Sequence, residues 1–189
     1  MYNFMDGMDG LAGGCGVVYA ACFGATLYAQ GQESIARSAF LLCPALLGFF
    51  VFNWSPARIF LGDVGSTFLG YYFALLSAAL ALVNPWNIAY GVVILLPFLY
   101  DTIAVFIRRL RAGEPITAAH RKHLYQRLQR SGYSHRKVSF LYYAFAMLCG
   151  GSAFLFNHMG AHPTAVLVVI PVYHLLYRQI ERRFVTVAF

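Results

Sequence analysis

Acidic residues are scarce in this chain: seven Asp and Glu stand against fourteen Lys and Arg in 189 residues. Charged residues of both signs make up only 11% of the sequence, and hydrophobic ones 60%. A soluble domain carries roughly a quarter of its residues charged and spreads them over its outside. The shortage of charge therefore excludes a fully solvated surface and leaves a chain that meets lipid. Disulfide and zinc chemistry are not expected either. Cys15, Cys22, Cys43 and Cys149 lie singly in apolar stretches with no C-x-x-C pair, and read as small packing residues. Met1 is followed by acids and glycines rather than a basic stretch, so no cleavable signal peptide is expected.

What is present is a series of apolar runs that suit a bilayer. Six can be marked, at roughly 11–30, 36–52, 64–84, 88–107, 138–156 and 164–180, the second and sixth being the shortest. The expected fold is all-α: a polytopic integral membrane protein of about six transmembrane helices, forming a single domain over residues 1–189. The basic piece from Arg108 to Lys137 holds nine of the fourteen Lys and Arg, which places it in the cytoplasm. Counting crossings from that loop puts the N-terminal segment, the loop from Asn53 to Asp63, and Arg178, Arg182 and Arg183 on the same side. Of the basic residues, only Arg37 then falls outside. The net charge of +7 thus reads as positive-inside loops rather than a nucleic-acid surface.

The few acids gather on that face. Asp6, Asp9, Asp63 and Glu114 sit at it, and Asp101 lies within about two helical turns, while Glu33 faces outward. Acids beside a membrane mark function when they cannot simply be solvated. In NFMDGMDGLAGG, Asn3 to Gly14, Asp6 and Asp9 stand three apart at the mouth of the first span. Two readings compete: turn and capping chemistry, or a shared helical face that forms a small acidic site. Asn3 adds an amide able to bond a sugar, a nucleotide or a carboxylate. In NWSPARIFLGDVGSTFLGY, Asn53 to Tyr71, Pro56 and Gly62 break the chain and GDVGS opens the third span. A helix start flanked by glycines suits phosphate oxygens. An aspartate there repels phosphate unless a divalent cation lies between, so Asp63 reads either as a Mg²⁺ ligand or as a simple helix cap. Arg58 is placed to neutralise a phosphate or to serve as an ordinary positive-inside residue.

The third segment is ITAAHRKHLYQRLQRSGYSHRKV, Ile116 to Val138. Thr117 is expected to cap a short helix carrying His120 and His123, with Arg127 one turn beyond. Arg121, Lys122, Arg130, Arg136 and Lys137 make the surroundings cationic, which favours phosphate or pyrophosphate contact over zinc. A basic amphipathic helix resting on anionic headgroups is the competing reading. His158, His162 and His174 receive no catalytic role.

Together these segments resemble the polyprenyl-phosphate N-acetylhexosamine-1-phosphate transferases of glycosyltransferase family 4, which start peptidoglycan, O-antigen and related glycans. NFMDGMDGLAGG is similar to the family's N-x-x-D-G-x-D-G-L-A segment, and IFLGDVGSTFLG to its F-x-G-D-x-G-S segment. PFLYDTIAVFIRR resembles the span that enters the histidine loop, with Asp101 at a matching aspartate, and AHRKHLYQRL is nearest to the lipopolysaccharide branch. The resemblance covers nearly all of the chain, in the family's order. It implies transfer of a sugar-1-phosphate from a UDP-N-acetylhexosamine to undecaprenyl phosphate, with release of UMP, at the cytoplasmic face of a bacterial inner membrane. It also implies Mg²⁺ as cofactor, with Mn²⁺ as an alternative. Asp63, Asp6, Asp9 and His123 become the implied catalytic residues, with Asp63 as the metal ligand. Asn3, Arg58, Gly62, Ser66, His120, Arg121 and Arg127 become the implied substrate contacts.

Two departures stand against this resemblance. The family's acidic D-D-x-x-D segment has no counterpart here, so the chain is expected to be the C-terminal part of a longer enzyme, partnered by an N-terminal half or a second copy. The family's H-x-H-H is reduced to His123, with His120 as a substitute. The alternative is a catalytically incomplete fragment, or a membrane subunit, that binds UDP-sugar or polyprenyl phosphate without turnover. A small transporter fits less well, because its acids would sit near the midplane.

Overall fold

The computed structural model describes residues 1–115 and 120–186, and every regular element among them is helical. The chain opens with a 3-10 turn, Tyr2–Met5. The α-helices that follow are α1 (Leu11–Ala29), α2 (Glu33–Asn53), α3 (Gly62–Ala81), α4 (Ile88–Ile94), α5 (Leu96–Arg111), α6 (Leu124–Arg130), α7 (His135–His158) and α8 (Val169–Phe184). Helices α1, α2, α3 and α7 are each long and apolar enough to cross a membrane, and the α4–α5 pair makes a fifth span if its bend is counted as one crossing.

Helix α1 packs along both α2 and α7, and its small residues allow the close approach. It starts from Gly10, whose φ of 75° is left-handed backbone that glycine adopts without a steric penalty. A β-carbon at Gly14 would overlap the Tyr143 ring. With glycine there, the phenol end of Tyr143 reaches α1 and its hydroxyl donates to the Gly10 carbonyl. Small residues at a helix contact inside a membrane act in this way, because dispersion between close backbones replaces the missing hydrophobic drive. The outer side of α2 has no such neighbours: Leu41, Leu47, Val51 and Phe52 are exposed and apolar, as a lipid-facing helix requires.

The span expected at 88–107 is broken. The segment Pro85–Ile94 and helix α5 meet at 80°. Pro97 stands at the start of α5; it has no N–H to bond back into α4, and its ring crowds the preceding turn. The sixth run begins as a 3-10 turn, Pro163–Val168, and continues as α8, sixteen residues long. At 1.5 Å per residue α8 rises about 24 Å, short of the roughly 30 Å of hydrocarbon. The histidine segment also differs from expectation. Helix α6 begins at Leu124, so His120 and His123 precede it and do not share its face, and Thr117 lies outside the described residues.

An aromatic core anchors the N-terminal turn. Tyr19 meets Phe73 and Phe98 edge-on at 5.8 and 5.4 Å, and Tyr2 packs on both phenylalanines at 5.6 and 5.0 Å. Such pairs contribute about 0.5–1.5 kcal/mol each beyond simple burial. The Tyr2 hydroxyl donates to the Ala12 carbonyl at 2.6 Å, which folds the first residues back over the start of α1. That fold-back holds Asn3 and Asp6 beside α3.

Candidate functional site: a carboxylate cleft

Asp6, Asp9 and Asp63 line one cleft of about 410 Å³, together with Asn3, Gly7, Asn53, Gly62 and His135. Two sequence segments far apart in the chain thus form a single wall. Asp6 and Asp9 do not share a helical face. Asp6 directly follows the 3-10 turn and Asp9 precedes the helix start at Gly10; neither caps α1. The positive φ of Gly10 turns the chain between Asp9 and α1 and keeps both acids on the loop.

Asp6 faces Asp63 and the backbone N–H of Gly62. Burial, and the like charge of Asp63, push its carboxyl up to about 6, against the pull of the Gly62 N–H. Asp63 sits exposed in the first turn of α3 and makes no capping bond, which removes the plain helix-cap reading. Asp9 has different partners. Its Oδ2 accepts from the Ala57 N–H at 3.3 Å and lies 3.3 Å from Nδ1 of His135, at the start of α7. Asn53 joins the two segments: its Oδ1 accepts from the Gly10 N–H at 3.0 Å and its Nδ2 donates to the Ile59 carbonyl at 2.9 Å. Ser66 is buried and donates to Asn3 Oδ1 at 2.6 Å, so it orients Asn3.

A second cleft, of about 390 Å³, meets the first at Asn3. Its other lining residues include Tyr2, Gly70, Tyr71, Phe98 and Leu99, so an apolar hollow at the α4–α5 bend opens beside the carboxylates.

The residues present suit a hard divalent cation better than a soft one. Among the described residues no three His, Cys, Asp or Glu side chains stand close enough to enclose an ion. Magnesium needs no such cage: it keeps several waters and takes one or two carboxylates plus phosphate oxygens from the substrate. Asp6 and Asp63 could provide such a half-site, and a cation between them would relieve their repulsion.

The histidine segment is held elsewhere. Asp101 is fully buried and does not join the cleft. It accepts three hydrogen bonds: from the Leu124 N–H at 3.0 Å, the Tyr142 hydroxyl at 3.0 Å and the Tyr177 hydroxyl at 2.9 Å. His123 Nδ1 lies 3.7 Å from the same carboxylate. His123 is buried between the Phe4 and Tyr125 rings, with His120 beside it at 5.2 Å. Burial first, then the neighbouring His123, lower the pKa of His120. Tyr125 links this cluster to the cleft: its hydroxyl donates to the Phe4 carbonyl at 3.0 Å and occupies the space a β-carbon on Gly7 would need. His120 and His123 therefore stand behind the N-terminal turn, not in the cleft.

Arg127, expected to touch substrate, is buried and bonds Glu181 of α8, as does Arg108. Arg58 and Arg121 are exposed and do not line the cleft. Asn3, Asp6, Asp9, Gly62 and Asp63 are the expected residues that the fold does bring together. Asn53 and His135 were given no role by the sequence reading, although both lie inside its quoted segments. The one signal for His135 was its place beside the Ser134 cap that starts α7.

Residues 1–81 match glycosyl transferase family 4. The chain is 33% identical over 153 residues to the probable undecaprenyl-phosphate N-acetylglucosaminyl 1-phosphate transferase of Bacillus subtilis, covering 80% of this chain and 43% of that protein. It is 34% identical over 155 residues to the phospho-N-acetylmuramoyl-pentapeptide-transferase of Streptococcus pneumoniae, covering 77% and 46%. It is 29% identical over 175 residues to the undecaprenyl-phosphate alpha-N-acetylglucosaminyl 1-phosphate transferase of Escherichia coli K12, covering 89% and 48%. The chain thus spans just under half the length of these curated relatives. With the family match running through all three cleft aspartates, and the relatives extending the likeness past the α4–α5 bend, the chain belongs to glycosyl transferase family 4.

Proposed function

We propose that this chain carries the nucleotide-sugar half of a transferase. That enzyme moves an N-acetylhexosamine-1-phosphate from a UDP-sugar to a polyprenyl phosphate, undecaprenyl phosphate in bacteria, and releases UMP. The product would start lipopolysaccharide, O-antigen or another cell-wall glycan at the cytoplasmic face of the inner membrane. The observation that carries this reading is the meeting, at Asn3, of a carboxylate cleft with an apolar one. A soluble polyanion and the first units of a lipid tail require such a junction.

Phosphoryl transfer depends on positioning two polyanions and offsetting their charge. Asp6 and Asp63 are the residues that would hold Mg²⁺, whose charge would neutralise phosphate oxygens. The Asn3 amide, oriented by Ser66, presents its nitrogen at the boundary between the clefts, where it can donate to a phosphate or sugar oxygen. His135 lines the same space, with Nδ1 3.3 Å from the Asp9 carboxylate and Nε2 accepting from the Gln129 amide at 2.7 Å, so its ring is positioned from both sides. The stacked histidines support the N-terminal turn from behind, so the role proposed for them is to position that turn.

The direct test supplies the chain, in membranes, with labelled UDP-N-acetylglucosamine, undecaprenyl phosphate and Mg²⁺, and follows both UMP and labelled lipid. Turnover that Asp63→Asn leaves unchanged would sink the assignment. The second reading, binding without turnover, is favoured by the chain's length relative to its relatives. Calorimetric binding of the UDP-sugar by the 189-residue chain without UMP release would support it.

A further inference from the structure

On the far side of α8 lies a second charged hollow, of opposite sign. It measures about 890 Å³ and is lined by Arg111 from the last turn of α5 and by Arg178, Arg182, Arg183, His174 and Leu175 from α8. Among the described residues no carboxylate lines it. The single acid of α8, Glu181, turns to Arg108 and Arg127 and also accepts from Arg178 at 3.2 Å. His174 is held through Nδ1 by the Tyr100 hydroxyl. Arg183 lies over the Phe184 ring at 5.7 Å, while Arg111 and Arg182 are exposed.

We propose that this groove holds the phosphate headgroup of an anionic phospholipid. Three observations converge on that occupant. The first is the order of residues along the helix. Val172 and Leu175 are exposed and apolar, 50% and 68% accessible, and the arginines follow within the next two turns. An acyl chain lying beside Leu175 brings its phosphate level with Arg178 and Arg182. The second is depth. The Arg108–Glu181 pair ties the last turn of α5 to the last turn of α8, so both basic helix ends stand at one level, where the apolar part of each helix stops. The third is chemistry. Guanidinium forks bond phosphate oxygens in pairs; Arg178 already shares Glu181, and Arg111, Arg182 and Arg183 leave the hollow with a net positive charge. A zwitterionic headgroup meets that charge poorly, because its own cation faces the arginines. The groove shares no lining residue with the carboxylate cleft, so it does not depend on the proposed transfer reaction.

The test uses the full 189-residue chain, purified in mild detergent and titrated with cardiolipin or phosphatidylcholine, with native mass spectrometry as the readout. Wild type is expected to retain cardiolipin in preference to phosphatidylcholine. The triple variant Arg178→Gln/Arg182→Gln/Arg183→Gln is expected to bind cardiolipin about a hundredfold more weakly, at about fivefold per arginine near a lipid phosphate. Arg182→Gln alone, at a position with no hydrogen bond or ion pair among the described residues, is expected to lose about fivefold. A double variant elsewhere on the basic face, Arg130→Gln/Lys137→Gln, is expected to match wild type. Equal retention by wild type and the triple variant overturns the site. Equal loss in the double variant overturns it as well, because the attraction then belongs to the whole face. Displacement of cardiolipin by millimolar inorganic phosphate would assign the groove to a soluble anion and also overturn the proposal.

Discussion

The acids of this protein fall into two kinds, set apart by their partners. Asp101 and Glu181 are saturated. Asp101 accepts from two tyrosine hydroxyls and a backbone N–H, and Glu181 accepts from Arg108, Arg127 and Arg178. Each ties α8 to other parts of the bundle: Asp101 joins α5, α7 and the start of α6, and Glu181 joins α5 and α6. Asp6 and Asp63 are the opposite case. They face each other with one backbone N–H between them and, among the described residues, no ion pair to a protein cation; burial first, and the like charge of Asp63 second, raise the pKa of Asp6. Where an acid has its counter-groups inside the chain, it builds the fold. Where two acids confront each other over an open cleft, a proton or a cation from outside would relieve the repulsion.

That contrast can be broken by exchanging the consequences of removing each acid. The largest expected effect is on turnover. Asp63→Asn should cut UMP release by a factor on the order of 10³, the scale for losing one group that stabilises transition-state charge, with no fall in melting temperature. A variant that melts early would move Asp63 into the structural class. Next comes Asp101→Ala, which strands the Tyr142 and Tyr177 hydroxyls and the Leu124 N–H in the interior. A loss of about 3 kcal/mol is expected, read by thermal unfolding in detergent. Unchanged stability would show that the histidine segment is held by something else. Glu181→Gln should cost less, about 2 kcal/mol, because it keeps one acceptor for Arg108 and Arg127 and lies closer to solvent.

The smallest effect sharpens the comparison through pH. The carboxyl of Asp6 sits above its ordinary value of 3.8, at about 6 in the folded chain. The folded state therefore holds this proton more tightly than the unfolded state. The resulting stabilisation is fully present below about pH 4 and is lost as pH rises through about 6. In EDTA, wild type should thus lose stability relative to Asp6→Asn across that window, on the order of 1 kcal/mol after allowance for solvent screening. A flat difference would mean that neither burial nor Asp63 raises the Asp6 carboxyl in the folded chain. Added Mg²⁺ should shrink the difference if the two acids share the ion.

Much of the site could be read from the chain because its parts are local. Asn3, Asp6 and Asp9 occupy one short segment, Gly62 and Asp63 another, and the glycines around them announce the turns. Spacing along the chain misleads where a residue's meaning depends on a distant partner. Asp101 looked like a fourth acid of the site because its depth was right, but Tyr142 and Tyr177 are far along the chain. Arg127 looked like a phosphate ligand because its neighbours are basic, and Glu181 claimed it. His120 and His123 were placed on a helix by their spacing, yet Asp101 bonds the Leu124 N–H and starts that helix after them. Helix α8 and the α4–α5 bend failed in another way. Both runs are apolar, but length in one and Pro97 in the other decide how they meet the bilayer.

The sequence alone determined that this is a helical membrane protein, where its longest spans run, and which three aspartates face the same side. Those properties follow from apolar run length and charge distribution, and each acts residue by residue. Only the tertiary structure decided which acids are neutralised inside the chain and which are left facing one another. That outcome depends on which side chains from α3, α7 and α8 arrive within hydrogen-bonding reach, a contact of a few ångströms that no spacing along the chain encodes.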